Sequence, residues 1–446
     1  MGAWEFGNMG LALLAAVAGT LVASALALVP ALHVYTVAGL IILATARFGE
    51  FVRPELLATF FLGMTTGYAT LNTIPSIFLA APDDSTVFVV LPGQKYLRQR
   101  RGYEAAVLTG VGGLGGIAIL ALLTPAASSL LPALRAILQP HLHWILWAVI
   151  AYVLISEWPK GSDREPAGWR RWWDGWRSLV AGLATFLISG LLGFILFYRS
   201  LVPVTVGYQN LLPAFTGLFA VPWILQNILS RVELPEQHIA RTIDATPGLF
   251  LRGVLTGALG GLFAAFFPVV TGGIGGLIAG HATAQRDDRL FIISQGASKA
   301  TYYVGGLLLF FVPGLHLTRG GMAWMLSSLW TSYTPQTYYL AVAAVILSGV
   351  LSFFLLLLMT RAVIWLIRKV HYRWISLGTL VVLLAVVVGV TGWGGLLTCA
   401  VATGIGLIPA LWGSRRVNCM GVLLVPMALE MAGMASTVAG WLGLIK

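Results

Sequence analysis

The stretch Ile74–Gly102, IPSIFLAAPDDSTVFVVLPGQKYLRQRRG, sits inside a chain that is otherwise almost entirely apolar. It carries Pro75, Pro82 and Pro92, the adjacent acids Asp83 and Asp84, and a closing basic run at Lys95, Arg98, Arg100 and Arg101. Proline lacks an amide donor and clashes with the preceding turn, so an unbroken spanning helix does not pass through such a segment. Broken backbone at membrane depth is tolerated only where protein or a water-filled cavity surrounds it. The stretch therefore reads as the wall of a transport pathway, held in place by the helices around it.

That those helices are membrane spans follows from composition. The chain is 58% hydrophobic and only 10% charged, with mean hydropathy +0.88. Too few charged residues exist to cover a soluble surface, and long apolar runs mark spanning helices directly. The expected fold class is an all-α, polytopic protein of the cell membrane. Asn8–Val29 lacks the basic start of a signal sequence and reads as a retained first helix. The net charge of +11 falls between apolar runs, where it signals topology and contact with anionic lipid rather than nucleic acid. Cys399 and Cys419 have no His or Cys partner at metal spacing and read as packing residues.

The apolar runs amount to about ten full spans plus two or more re-entrant half-helices. Pro30 interrupts the first run, and Pro268 interrupts a later one that continues as VVTGGIGGLIAG. The Pro30-to-Pro75 interval is 45 residues, as is Pro268-to-Pro313, and Gly19 and Gly257 each precede a break by 11. All of these pairs share one offset, 238. Paired, proline-interrupted segments in two halves point to a transporter binding site built from inverted repeats. The chain accordingly divides into a first repeat at residues 1–160, a Trp/Arg-rich connector at 161–177, and a second repeat with extra C-terminal helices at 178–446.

A half-helix N-terminus at midplane exposes amides and the positive end of the helix dipole, which suits an anion. His33 and Tyr35 follow the first break, and Thr271, Gly272 and Gly273 follow the second, so these are substrate-binding candidates. His33 reads equally as a hydrogen-bonded core residue. Asp83 and Asp84 have two readings, a site for a coupling H⁺ or Na⁺ or a helix-capping interfacial turn. Ser76 supplies a hydroxyl near them. Lys299, ten residues past a charged loop in an apolar run, is positioned to meet an anion. Glu430, alone in the last span, is a further coupling candidate. No catalytic triad, metal constellation or P-loop stands out, which argues against an enzyme, a resident cofactor and an ATP-driven pump.

The run IPSIFLAAPDDSTVFVVLPGQKYLRQRRGYEA resembles the large membrane subunit of the tripartite tricarboxylate transporters, in particular the divergent, largely archaeal branch. VPALH, RDDRLFIISQGASKA and GLIPALWGSRRVNCMGVLLVP agree in the same order. The resemblance implies two inverted repeats whose re-entrant hairpins meet at midplane. It carries site roles onto His33, Ser76, Asp83, Asp84 and Lys299. The family's glycines after the first break are replaced by Pro30-Ala31-Leu32-His33, which puts tricarboxylate specificity in question. The proline and glycine pattern is also loosely similar to that of polyprenyl-phosphate transporters. The leading expectation is a secondary transporter of a di- or tricarboxylate coupled to H⁺ or Na⁺. The alternative is a translocase for a lipid carrier with a phosphate head. Expected partners are the anionic substrate, membrane lipids, a small membrane subunit or binding protein, and a second copy in a homodimer.

Overall fold

The computed structural model describes residues 6–29, 32–48, 53–157, 168–230, 234–330 and 333–445. Pro30, Ala31 and residues 161–167 of the connector lie outside these. The chain is helical throughout. In order come α1 (Phe6–Leu26), α2 (Val34–Phe48), α3 (Pro54–Leu71), α4 (Thr73–Phe78), α5 (Val90–Arg98), α6 (Gly102–Leu138) and α7 (Leu142–Ile155). Then follow α8 (Trp169–Tyr198), α9 (Leu211–Phe215), α10 (Val221–Leu229), α11 (Pro247–Phe266), α12 (Gly272–Ala282) and α13 (Asp288–Phe311). The last are α14 (Gly320–Ser327), α15 (Pro335–Lys369), α16 (Tyr372–Trp412), α17 (Gly421–Met431) and α18 (Ala435–Trp441).

Among the described residues, seven helical stretches are long and apolar enough to cross a membrane, or up to eight with the bent pair α17–α18. The expected ten differ for two reasons. The stretch Gly102–Ile155 is a single apolar run of 54 residues, and α16 runs 41 residues through a kink at Gly392 (φ +68°). At 1.5 Å per residue these measure about 80 Å and about 60 Å, twice or more the ~30 Å hydrocarbon core. Moreover α3 and α13, read as spans from sequence, are not among the seven, because each carries polar residues of the site described below.

The helices group into two compact units that do not follow chain order. One comprises residues 1–138 and 231–376, the other 139–230 and 377–446. The described part of the connector, residues 168–177, lies within the second unit. The first unit holds the larger core, in which Phe61, Phe78, Phe310 and Phe311 are fully buried. In the second, α8 packs along α17, and smaller clusters form around Phe194 and around Val387 with Cys399.

Within the first unit the same sequence of elements occurs twice: a long helix, a break, a short helix, and a polar helix returning along the first. These are α1, α2 and α3, then α11, α12 and α13. Both returns depend on glycine. A Cβ on Gly19 of α1 would lie 2.0 Å from the Phe60 carbonyl oxygen of α3, and one on Gly257 of α11 would lie 2.0 Å from that of Ser294 in α13. Small residues at such crossings let backbones touch, which is where helices in lipid gain their packing energy. Thr246 caps α11, accepting from the Leu249 amide at 3.3 Å ahead of Pro247 at the first helical position.

Gly257→Val is expected to lower the melting temperature of the purified protein, since no side-chain movement relieves a clash with backbone. The cost of such overpacking is about 1–3 kcal/mol or more. Gly389→Ala, at a helical position with nothing within 4 Å of the added carbon, should leave melting unchanged or raise it. Equal melting of Gly257→Val and the parent would show that the crossing tolerates separation.

Candidate functional site

The polar residues singled out from sequence, Glu430 excepted, gather in the first unit, where two breaks face each other. One, distinct from the break between α1 and α2, follows α4. The Leu79 and Ala81 amides both donate to the Pro75 carbonyl, at 2.9 and 3.2 Å, and Ala80 turns through φ +51°. The second follows α11, where Val269 adopts φ +62°. A β-branched residue held in the left-handed region costs about 1–3 kcal/mol and persists only where surrounding contacts impose it. Both breaks thus store strain beside the same cluster.

At its centre is Asp83, whose carboxylate accepts seven hydrogen bonds. Oδ1 takes the Ser85 amide (3.1 Å) and hydroxyl (2.8 Å) and the Thr86 amide (2.9 Å) and hydroxyl (2.8 Å). Oδ2 takes Asn72 Nδ2 at 2.6 Å and the hydroxyls of Tyr68 and Tyr303, each at 3.1 Å. The local bonds are those of a turn-forming aspartate; α5 begins only after Val89 and has no side-chain cap. The other bonds tie that turn to α3 and, 220 residues away, to α13. Ser76 is spent in the same brace, fully buried with its one hydroxyl proton shared between the Asn72 carbonyl (3.0 Å) and Thr86 Oγ1 (2.8 Å).

His33 joins the cluster through Tyr303, with Nε2 3.0 Å from the phenol oxygen. Its Nδ1 lies 3.2 Å from the Tyr35 amide, which can only donate. Nδ1 is therefore the acceptor and the ring proton sits on Nε2, giving a directed chain from His33 through Tyr303 to Asp83. The rings of His33, Tyr35, Tyr68 and Tyr303 pack with centroids 4.4–6.3 Å apart. Lys299, only 2% exposed, donates from Nζ to Asn72 Oδ1 at 2.6 Å and to Thr73 Oγ1. Asn72 thus bridges the buried cation and the half-buried carboxylate.

The second break meets the first directly. Thr271 caps α12 and donates to the Asp84 carbonyl at 3.3 Å, and a Cβ on Gly273 would lie 3.1 Å from that carbonyl and 3.2 Å from Ser85's. Gly272 accepts the Ser298 hydroxyl at 2.7 Å. The start of α12 is therefore covered by the Asp84–Ser85 backbone, and an anion reaches it only if the two breaks part. Arg319 closes the other side of the break by donating to the carbonyls of Ala264 (3.0 Å), Ala265 (3.2 Å), Val270 (3.3 Å) and Phe267. A cation at these carbonyls complements the C-terminal end of α11.

Sequence reasoning passed over Tyr68, Tyr303 and Arg319. The one available signal was tyrosine or arginine isolated among apolar neighbours. Glu430 belongs to the second unit, where it lies exposed near the end of α17.

One ligand atom each from His33, Asp83 and Asp84 can be chosen so that all lie within 4.8 Å of one another, close enough for a cation to bridge. Both His33 nitrogens already have partners, so the imidazole ligates an ion only by releasing one. Beyond the cluster, Lys95 pairs with Asp288, and Arg289 bridges Asp287 (2.8 Å) and Asp244 (2.9 Å). The Arg289 hydrogen bonds hold the Asp287 carboxyl below its ordinary range.

Asp83→Asn should destabilise the protein by about 2–4 kcal/mol, because an amide group would then face donors with a donor. Asp84→Asn should melt close to the parent. Thermal unfolding of the two variants in one detergent checks this, and parent-like melting of Asp83→Asn would remove Asp83 as the anchor.

Residues 13–421 match the Tripartite tricarboxylate transporter TctA family. An uncharacterized protein of Methanocaldococcus jannaschii is 26% identical over 411 residues, covering 90% of this chain and 94% of the relative. No solved structure matches the chain. The family's members are membrane transport proteins and not enzymes, in keeping with the apolar spans and the broken backbone at the cluster. This multi-pass membrane protein belongs to the tripartite tricarboxylate transporter TctA family.

Proposed function

We propose that the protein is a secondary transporter moving a di- or tricarboxylate by alternating access, coupled to H⁺ or Na⁺. The observation that carries this reading is a buried, mixed-charge cluster drawn from two broken segments, residues 33–86 and 269–303. Lys299 and the start of α12 supply the positive groups for substrate carboxylates once the breaks part. Asp84 is the better coupling residue of the two acids, because Asp83 is already committed to seven donors. His33 and Tyr303 offer a proton route into the cluster.

We further infer that the chain contains two inverted repeats meeting near residue 231. Each compact unit draws on both halves of the chain, the two helix–break–helix arrangements share one element order, and Gly19 and Gly257 make equivalent approaches at offset 238. Single cysteines at Asn8 and Gly248, near the starts of α1 and α11, should be labelled by an impermeant reagent from opposite membrane faces. Cys399 and Cys419 are buried and give little background. Labelling from one face would make the repeat parallel.

Thermal shift of the purified protein with citrate, succinate and a short-chain polyprenyl phosphate tests the substrate class. A ligand at a hundredfold excess over its Kd stabilises the folded state by about 2.7 kcal/mol. Stabilisation by a carboxylate should depend on Na⁺ or pH. Lys299→Met should weaken it by roughly tenfold or more, since a charge-assisted contact contributes about 1.5–3 kcal/mol. Asp84→Asn should abolish the ion dependence. Response to the lipid phosphate alone would replace this reading with a lipid-carrier translocase.

A further inference from the structure

The first unit contains an apolar cavity of about 290 Å³ that none of the foregoing uses. Its walls come from α6, α11, α13 and α15, and its lining is almost wholly hydrocarbon. On α6 the lining recurs from Leu120 to Leu138 at helical spacing, so the groove follows that helix for about 27 Å. That length approaches the ~30 Å of a bilayer's hydrocarbon core. Leu123, Leu130 and Leu134 on its rim are 42%, 59% and 37% exposed, and they belong to a membrane-spanning stretch, so the groove opens toward lipid. Opposite them, Phe263 and Phe266 of α11 and Leu308 of α13 form its back.

The end of the groove carries a charge. Arg135 lies in the last turn of α6, four residues after Leu131 and three before Leu138, which places it at the border of the lining stripe. No carboxylate lies within ion-pair distance of it among the described residues. Cations at the end of a span meet phosphate headgroups.

We propose that this groove binds one hydrocarbon chain of an anionic phospholipid whose phosphate is held by Arg135. The bound chain lies against the last turn of α11, including Ala265 and Phe267, whose carbonyls Arg319 grips at the second break. It also lies against α13 at Gly305, two residues beyond Tyr303. The lipid therefore supports the two elements that aim the second half of the cluster, independently of which solute the cluster takes.

The test uses the full chain in liposomes containing phosphatidylglycerol with a diazirine in one tail, followed by photolysis and peptide mapping. Adducts are expected severalfold more often on residues 120–138 and 262–267 than at Val381 and Trp393, which are exposed helix positions. Unlabelled phosphatidylglycerol should compete better than phosphatidylcholine. Arg135→Gln should erase that preference while keeping the adducts, and Ala127→Trp should reduce the adducts by filling the groove. Adducts spread evenly over exposed helices would overturn the site, and equal competition by the two lipids in the parent would overturn the headgroup assignment. Lys299→Met, which disables the solute site, should leave the adducts unchanged, so this proposal and the solute reading fail separately.

Discussion

A carboxylate withdrawn from water must have its lone pairs satisfied, and Asp83 meets that requirement with donors from three separate places in the chain. The turn at Ser85 and Thr86 satisfies one oxygen, and α3 with α13 satisfies the other. Because the donors to Oδ2 sit on different helices, the same charge that closes the turn also sets the separation of α3 and α13. Lys299 then reaches Asn72 and Thr73, and His33 reaches the network through Tyr303. The broken segment after α4 is held both by this acceptor and by the burial of Ala80, Ala81 and Val89.

Such an arrangement suits a site that must open. Ala80 and Val269 are held in the left-handed region, and the Thr271 cap and Gly273 press on the Asp84–Ser85 backbone. Parting the breaks would expose the start of α12, at the cost of the Thr271 bond and the apposed surface. The glycine crossings at Gly19 and Gly257 lie in the long helices and need not change. Rigid helix pairs joined through strained breaks give two discrete packings instead of a continuum. The two adjacent acids divide accordingly: Asp83 holds the turn, and Asp84 presents its backbone carbonyl to the opposing break.

Much of this was legible in the chain. Pro268 marked the end of α11 and Thr271–Gly273 the start of α12, because proline and glycine act on their own backbone wherever they stand. Lys299 was visible as a charge stranded in an apolar helix. The count of spans was less legible, since hydropathy does not say where α6 gives way to α7 or whether Gly392 bends α16 or ends it. Tyr68 and Tyr303 were hidden for a different reason. A tyrosine in an apolar helix is ordinary, and its hydroxyl matters only for what lies opposite it.

The membrane class and the positions of the breaks after α4 and α11 were determined by the sequence alone. Apolarity and the missing proline amide are properties of each residue and its nearest neighbours. Which acid is saturated, which unit Glu430 belongs to, and that Arg319 closes the second break were decided only by tertiary structure. Hydrogen-bond satisfaction is settled between groups far apart in the chain, as when Asp83 meets Tyr303 across 220 residues. No local pattern records which donor a buried oxygen will meet.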